Sequence, residues 1–322
     1  MCIRDSLRYI KENIAMLYKA MLSNEKCINI VGIAPLHYFV YYFQQFIKSG
    51  KPIIYFTSWP YWNFNSPYSR WVHHYPIDLR ERWKSFLENV DAIVCVTKAS
   101  HNALQSFSKK VFWIPHSVDT KIFRPKREGK NRNSIVVLFV GRLVESKGIL
   151  ELMDVAKKTK RIGLKNLQFW FVGRGPFKHI LEKFEGVLPI RYLGYVDDPV
   201  VLAKIYREAD ILVLPSKRKR TWEELFGIVI IEGMSSGLPV IASNHIGPRE
   251  VIEDQFDGFI IKTDPSLDRE NFVNEILDRI LLLANDENLR RKMGIRGRSK
   301  AKQWYDVRIN SEKWKRVLEY IS

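Results

Sequence analysis

The chain has 322 residues, 46% of them hydrophobic, which is enough for two globular domains with a core each. Its formal net charge of +17 argues against a protein without charged partners and implies a polyanionic neighbour: substrate phosphates, an anionic membrane or nucleic acid. No membrane span is expected, because Asn29, Pro35 and His37 interrupt the longest apolar stretch, INIVGIAPLHYFVYYF.

The start, MCIRDSLRYIKEN, lacks the apolar core of a signal peptide. LRYIKENIAMLYKAML and LHYFVYYFQQFIKSG read as helices on either side of a strand, CINIVGI. KPIIYFTSW, DAIVCVT and KVFWIPH read as further strands, with RERWKSFLENV as a helix. The three cysteines, Cys2, Cys27 and Cys95, show no metal-ligand spacing and suit a reducing, cytoplasmic compartment. The polar, basic segment 124–134 reads as an interdomain linker.

From residue 134 onward short apolar runs alternate with amphipathic stretches. SIVVLFVG, LQFWFVG, IRYLGYV, DILVLP, LPVIAS and GFII are each bounded by Gly, Pro or Asp. This pattern predicts a parallel, doubly wound α/β sheet covered on both faces. The end of the chain reads as two helices anchored by Trp304, Tyr305, Trp314 and Tyr320. The expected domains are 1–125, 126–304 and a last helix, 305–322, packing back on the first.

Positive charge is grouped in KKTKR (157–161), KRKR (217–220) and the acid-free RRKMGIRGRSKAK (290–302). Such clusters suit a solvated face and a membrane-docking face equally well. They lack interleaved aromatic residues, which argues against nucleic acid.

Two Rossmann-like domains in tandem place a ligand in a cleft at the carboxyl ends of their strands. Gly141 and Arg142 follow the first strand of the second domain, and Lys147 and Gly148 precede its helix. Such cations beside a helix start can hold a diphosphate, and ordinary surface cations would look the same. Gly173 opens the turn GRGP, which suits close approach of an anion or ribose. Glu224 lies on the loop after DILVLPS. Glu232 lies in the apolar helix IVIIEGMSS, where a carboxylate needs donors: sugar hydroxyls, a buried Arg, or a cation at the helix edge.

In order and spacing, FVGRLVESKG, FVGRGP, LGYVDD, ADILVLPS, EELFGIVIIEGMSSGLPVIAS and REVIEDQFDGFII resemble the nucleotide-sugar glycosyltransferases of family 4, as does IPHSVDTKIFRP before the linker. The resemblance implies a GT-B fold, α/β, with two Rossmann-like doubly wound domains facing a cleft. It further implies retaining transfer of a hexose from a UDP- or GDP-sugar to a glycan or lipid-linked acceptor, with neither cofactor nor metal. Arg142 and Lys147 match the pair that stabilises the leaving diphosphate. Glu224 matches the glutamate that meets the donor sugar, and the amides around Phe226 and Gly227 lie near the sugar and phosphates. Glu232 matches the glutamate that accepts from the ribose. Gly141 belongs to the diphosphate loop, Gly173 to the turn beside the nucleoside, and Tyr195 and Val196 to the stretch that meets the base.

There are departures from the pattern. His116 and Ser117 stand where relatives have Asn-Gly, and Ser58 and Trp59 where many have a histidine; whether His73, His74 or none of the seven histidines assists the acceptor is open. Relatives begin with a strand and a glycine-rich loop, so this N-terminal domain is expected to be incomplete and MCIRDS foreign to it. A peripheral position on the inner face of the membrane fits the charge. A polyanion-binding module and an inactive GT-B scaffold are the alternatives.

Overall fold

The computed structural model describes residues 28–32, 40–41, 50–62, 77–126, 134–219 and 222–322. The helix read in 7–22, most of that in 36–50, MCIRDS, Cys2, Cys27, His73, His74 and the middle of the linker lie outside them. The chain divides into two compact units. The first holds the described residues of Met1–Cys95, Ser100–Trp113 and Arg316–Ser322; the second holds Val96–Ala99 and those of Ile114–Lys315.

In the first unit, β1 (Asn29–Val31), β2 (Ile53–Thr57), β3 (Ala92–Cys95) and β4 (Val111–Trp113) form one parallel sheet in that order. Helix α1 (Ile77–Asn89) precedes β3 and α2 (Lys98–Leu104) follows it. Tyr55 of β2 is the centre of an aromatic core, with its ring 6.0 Å from Trp62, 5.7 Å from Trp83 and 5.5 Å from Phe86. Edge-on contacts of this kind add directional attraction to the burial of large apolar surfaces.

The second unit begins with β5 (Ile135–Val140), α3 (Ile149–Arg161), β6 (Leu167–Val172), α4 (Lys178–Phe184), β7 (Ile190–Tyr192) and α5 (Pro199–Glu208). It continues through β8 (Ile211–Leu214), α6 (Ile228–Ser235), β9 (Val240–Ser243), α7 (Ile246–Val251) and β10 (Gly258–Ile261) to α8 (Arg269–Asn285), α9 (Glu287–Trp304) and α10 (Val307–Ile321), whose residues from Arg316 on belong to the first unit. Its parallel sheet has the order β10-β9-β8-β5-β6-β7. The chain therefore winds outward from β5 to β7, returns to the other side of β5 at β8, and winds outward again. Such a reversal leaves a crevice at the carboxyl ends of the two central strands, because their outgoing loops part to opposite sides. At the amino ends, Asp210 before β8 accepts from the Val136 amide of β5 at 2.8 Å, which ties the reversal from below.

Residues 114–125, read in the sequence as the end of the first domain, are bonded within the second unit. The Val118 amide donates to Tyr305 at 2.8 Å, and the Val307 amide donates to Val118 at 3.1 Å. Arg298 donates to the carbonyls of Phe123 at 2.6 Å and Thr120 at 2.9 Å. This removes Arg298 from the basic surface of 290–302. Arg290 caps the Leu283 carbonyl and Lys300 pairs with Asp257, whereas Arg291, Lys292 and Lys302 are exposed. Among the described residues no helix is long and apolar enough to cross a membrane.

Candidate functional site

The loop after β5 runs through Gly141 and Arg142 into a short 3-10 turn, Glu145–Lys147, that ends at Gly148. Gly148 has φ +71°, and a Cβ there would lie 1.9 Å from the Pro215 carbonyl oxygen, so only glycine lets this turn touch the end of β8. The Lys217 amide completes the contact by donating to Ser146 at 2.8 Å. The turn thereby carries Lys147 across the mouth of the reversal.

There Lys147 Nζ forms an ion pair with Oε2 of Glu224, which also accepts from Ser216 Oγ at 3.1 Å. Lys147 Nζ stands 5.0 Å from the centre of the Trp222 ring. The two ionic side chains are only 13% and 11% exposed, so their attraction is screened less than that of a surface pair. Glu224 is held through its main chain as well: its N–H donates to His245 Nδ1 at 2.9 Å and its carbonyl accepts from Gly247 at 3.1 Å.

Glu232 projects from α6, whose N-cap is Gly227. Its Oε2 accepts from the Tyr206 hydroxyl of α5 at 2.7 Å. Burial pushes the Glu232 carboxyl above its ordinary range, and the phenol pulls it partly back. The donor is thus a tyrosine, neither an arginine nor an edge cation. Tyr206 escapes a sequence reading because an aromatic residue near the end of an amphipathic helix looks like core. It is core too, fully buried with its ring 5.6 Å from Phe123.

On the other flank of β5, a Cβ on Gly173 would lie 1.8 Å from the Gly141 carbonyl oxygen, so the two expected glycines meet backbone to backbone. The Gly173 amide donates to Gly194 at 2.8 Å. The Arg174 guanidinium lies 4.4 Å from the Tyr195 ring centre; Tyr195 is exposed and Val196 half-buried. Phe226 is buried between the rings of His116, 5.0 Å away, and Tyr305, 6.0 Å away. Arg142 is exposed and has no ion-pair partner among the described residues.

The structure thus brings Lys147 to Glu224 and Gly141 to Gly173. It revises the cluster KRKR. Lys217 pairs with Glu151 at 2.9 Å and Arg218 with Glu223 at 3.1 Å, both carboxylates being nearly inaccessible, and Lys219 pairs with Glu145. Glu151 and Glu145 are brought from 66 and 74 residues away, which a count of local charge does not show, whereas Glu223 lies five residues on in the same loop. Glu223, Glu151 and His245 are absent from the sequence reading, since an acid or imidazole in a loop carries no signal of its burial.

A doubly wound sheet with a cation, two largely buried glutamates and close-set glycines at its reversal belongs to the α/β class, and the solved structures it resembles give the fold as GT-B. Likeness to solved structures bears on the fold. The Anabaena protein Alr3699/HepE in complex with UDP superposes with a TM-score of 0.71 at 18% identity, over 95% of this chain and 81% of that one. The pneumococcal O-GlcNAc transferase GtfA with UDP and GlcNAc gives 0.71 at 19% identity, over 95% and 59%.

Residues 120–300 match the family described as glycosyl transferases group 1, and the chain belongs to that family. An uncharacterized glycosyltransferase of Methanocaldococcus jannaschii is 30% identical over 67% of this chain and 56% of its own length. The UDP-Gal:alpha-D-GlcNAc-diphosphoundecaprenol alpha-1,3-galactosyltransferase of Escherichia coli is 29% identical over 64% and 54%. The phosphatidyl-myo-inositol mannosyltransferase of Mycobacterium leprae is 29% identical over 64% and 52%. The chain spans about half the length of these three relatives.

Proposed function

We propose that the chain is a retaining hexosyltransferase that moves a sugar from a UDP- or GDP-linked donor to a glycan or lipid-linked acceptor without a metal ion. The observation that carries this reading is the ion pair of Lys147 and Glu224 at the reversal between β5 and β8. An ammonium has three donors, so Lys147 can keep Glu224 and still take a diphosphate oxygen. Arg142, exposed on the same loop, is the second cation. Fixed positive charge where negative charge develops on the leaving diphosphate lowers the barrier to its departure.

Glu224 is the acceptor for donor-sugar hydroxyls. Glu232, with Oε2 on Tyr206, has lone pairs left for the ribose. The bare backbone at Gly141 and Gly173 admits the nucleoside diphosphate, Tyr195 and Val196 meet the base, and the amides at Phe226 and Gly227 face sugar and phosphates. Relatives named for a UDP-galactose donor, a diphosphoundecaprenol-linked substrate and a phosphatidylinositol substrate support both halves of the reading. Peripheral contact with an anionic membrane on its cytoplasmic face belongs to it too, supported by the exposed Arg291, Lys292 and Lys302 of α9. A nucleic-acid partner does not.

A thermal-shift panel of nucleoside diphosphates and their sugars tests the assignment. UDP or GDP should stabilise the parent, and Glu232→Ala and Arg142→Ala should blunt the response. A parent that no nucleotide stabilises, or variants that respond as it does, would overturn it.

A further inference from the structure

We infer that His245 is a positioning residue, a staple on the main chain of Glu224 that sets where this glutamate stands. The inference rests on the donor role proposed for Glu224. His245 follows β9, caps α7, and is 3% exposed. Its Nδ1 accepts from the Glu224 N–H at 2.9 Å, which leaves the ring hydrogen on Nε2. The imidazole therefore fixes the main chain at Glu224 directly.

The neighbouring bonds make that grip consequential. Ser216 and Glu224 are also joined side chain to side chain at 3.1 Å, and Lys147 reaches the same carboxylate oxygen. Two residues past His245, the Gly247 amide holds the Glu224 carbonyl at 3.1 Å. Trp222, within the loop, lies over the imidazole with centroids 6.2 Å apart. Ahead of Glu224, Lys217 and Lys219 are drawn toward Glu151 and Glu145, and Arg218 toward Glu223. Those ion pairs hold side chains before Glu224, whereas His245 and Gly247 hold its main chain. The arrangement requires a neutral ring, because a hydrogen on Nδ1 would face the Glu224 N–H. Burial, reinforced by Arg218, pushes the imidazole down to about 4 and keeps it neutral.

The test compares His245→Phe, which keeps a flat ring and removes the bond, with His245→Asn, whose amide oxygen can still accept from Glu224. In the full chain, amide hydrogen exchange at Glu224 should quicken at least about tenfold in the Phe variant and recover largely in the Asn variant. Sugar transfer should lose about ten- to a hundredfold in kcat, the size expected when a group contacting the reacting sugar is misplaced by about 1 Å. Affinity for UDP or GDP without a sugar should stay within about twofold.

Unchanged exchange in a folded Phe variant overturns the staple, and so does a fall in kcat matched by an equal loss of nucleotide affinity. Should the Phe variant not fold, His245→Leu, which likewise offers no acceptor to Glu224, is read by the same exchange and kcat criteria. If the parent binds no nucleotide and transfers no sugar, the functional reading fails alone, and exchange still decides the staple.

Discussion

The Tyr206 hydroxyl donates to Glu232 Oε2 at 2.7 Å, from the helix before β8 to the helix after it. The bond explains how a carboxylate sits in a helix whose inner face is aliphatic. Tyr206→Phe keeps the ring against Phe123 and removes a donor from a carboxylate that burial already disfavours. The variant should lose about 1 to 3 kcal/mol of stability in denaturant titrations, the range for a bond to a charged acceptor. Calorimetry should show nucleoside diphosphate bound roughly tenfold more weakly, a loss of about 1.4 kcal/mol. Unchanged affinity would separate Glu232 from the ribose.

The ion pair of Lys147 and Glu224 should behave as a unit. Lys147→Met leaves a carboxylate with 11% of its side chain exposed and no cation, so it should cost more stability than Lys147→Met with Glu224→Gln together. Each single change should lower transfer by about 10²- to 10³-fold, as removal of a preorganised transition-state contact does. A double-mutant cycle on stability should return a coupling of about 1 to 3 kcal/mol, and additivity would show that the pair does not act as one.

Much of this was legible in the sequence because the strands are wholly apolar. SIVVLFVG, LQFWFVG and DILVLP became β5, β6 and β8, and the loops that follow them carry Lys147, Gly173 and Glu224. The partners were not legible. Tyr206 meets Glu232, Lys217 meets Glu151 and Asp306 meets Thr120 through contacts 26, 66 and 186 residues apart. Sequence periodicity tells which face of an element is buried, and only tertiary packing tells which polar group waits there. KRKR shows the difference: its charge is plain in the sequence, its counter-ions are not.

Gly148→Ala should be among the most damaging single-methyl changes in the second unit. The backbone sits at φ +71°, and the new methyl would lie 1.9 Å from a main-chain oxygen of Pro215, which cannot swing aside as a side chain would. Urea unfolding should show a loss of about 2 to 5 kcal/mol. Gly186→Ala is the control, since φ there is +79° with nothing within 4 Å of the added carbon, and it should cost about 1 kcal/mol from strain alone. Equal losses at the two positions would mean that the approach of the Lys147 turn to β8 is looser than described.

The imidazole of His245 should leave a signature in the pH dependence of stability. Its native value is pushed down to about 4, against 6.5 for an ordinary histidine, so between these values the unfolded chain binds a proton that the native chain does not. The contribution is therefore complete above 6.5 and is lost as pH falls toward 4, amounting to roughly 3 kcal/mol at most. Burial and Arg218 drive the shift, while Glu224, the Ser216 backbone and Asp264 oppose it. Glu232 works the other way: its contribution is complete below 4.5 and is lost as pH rises through its raised native value. Since Glu232 is common to parent and His245→Phe variant, its effect cancels when the two are compared. The parent's stability advantage over the variant should shrink steadily from pH 6.5 to 4 in parallel denaturant titrations. A constant difference across that range would mean that the native imidazole titrates like an exposed one and is not the neutral ring that accepts from the Glu224 N–H.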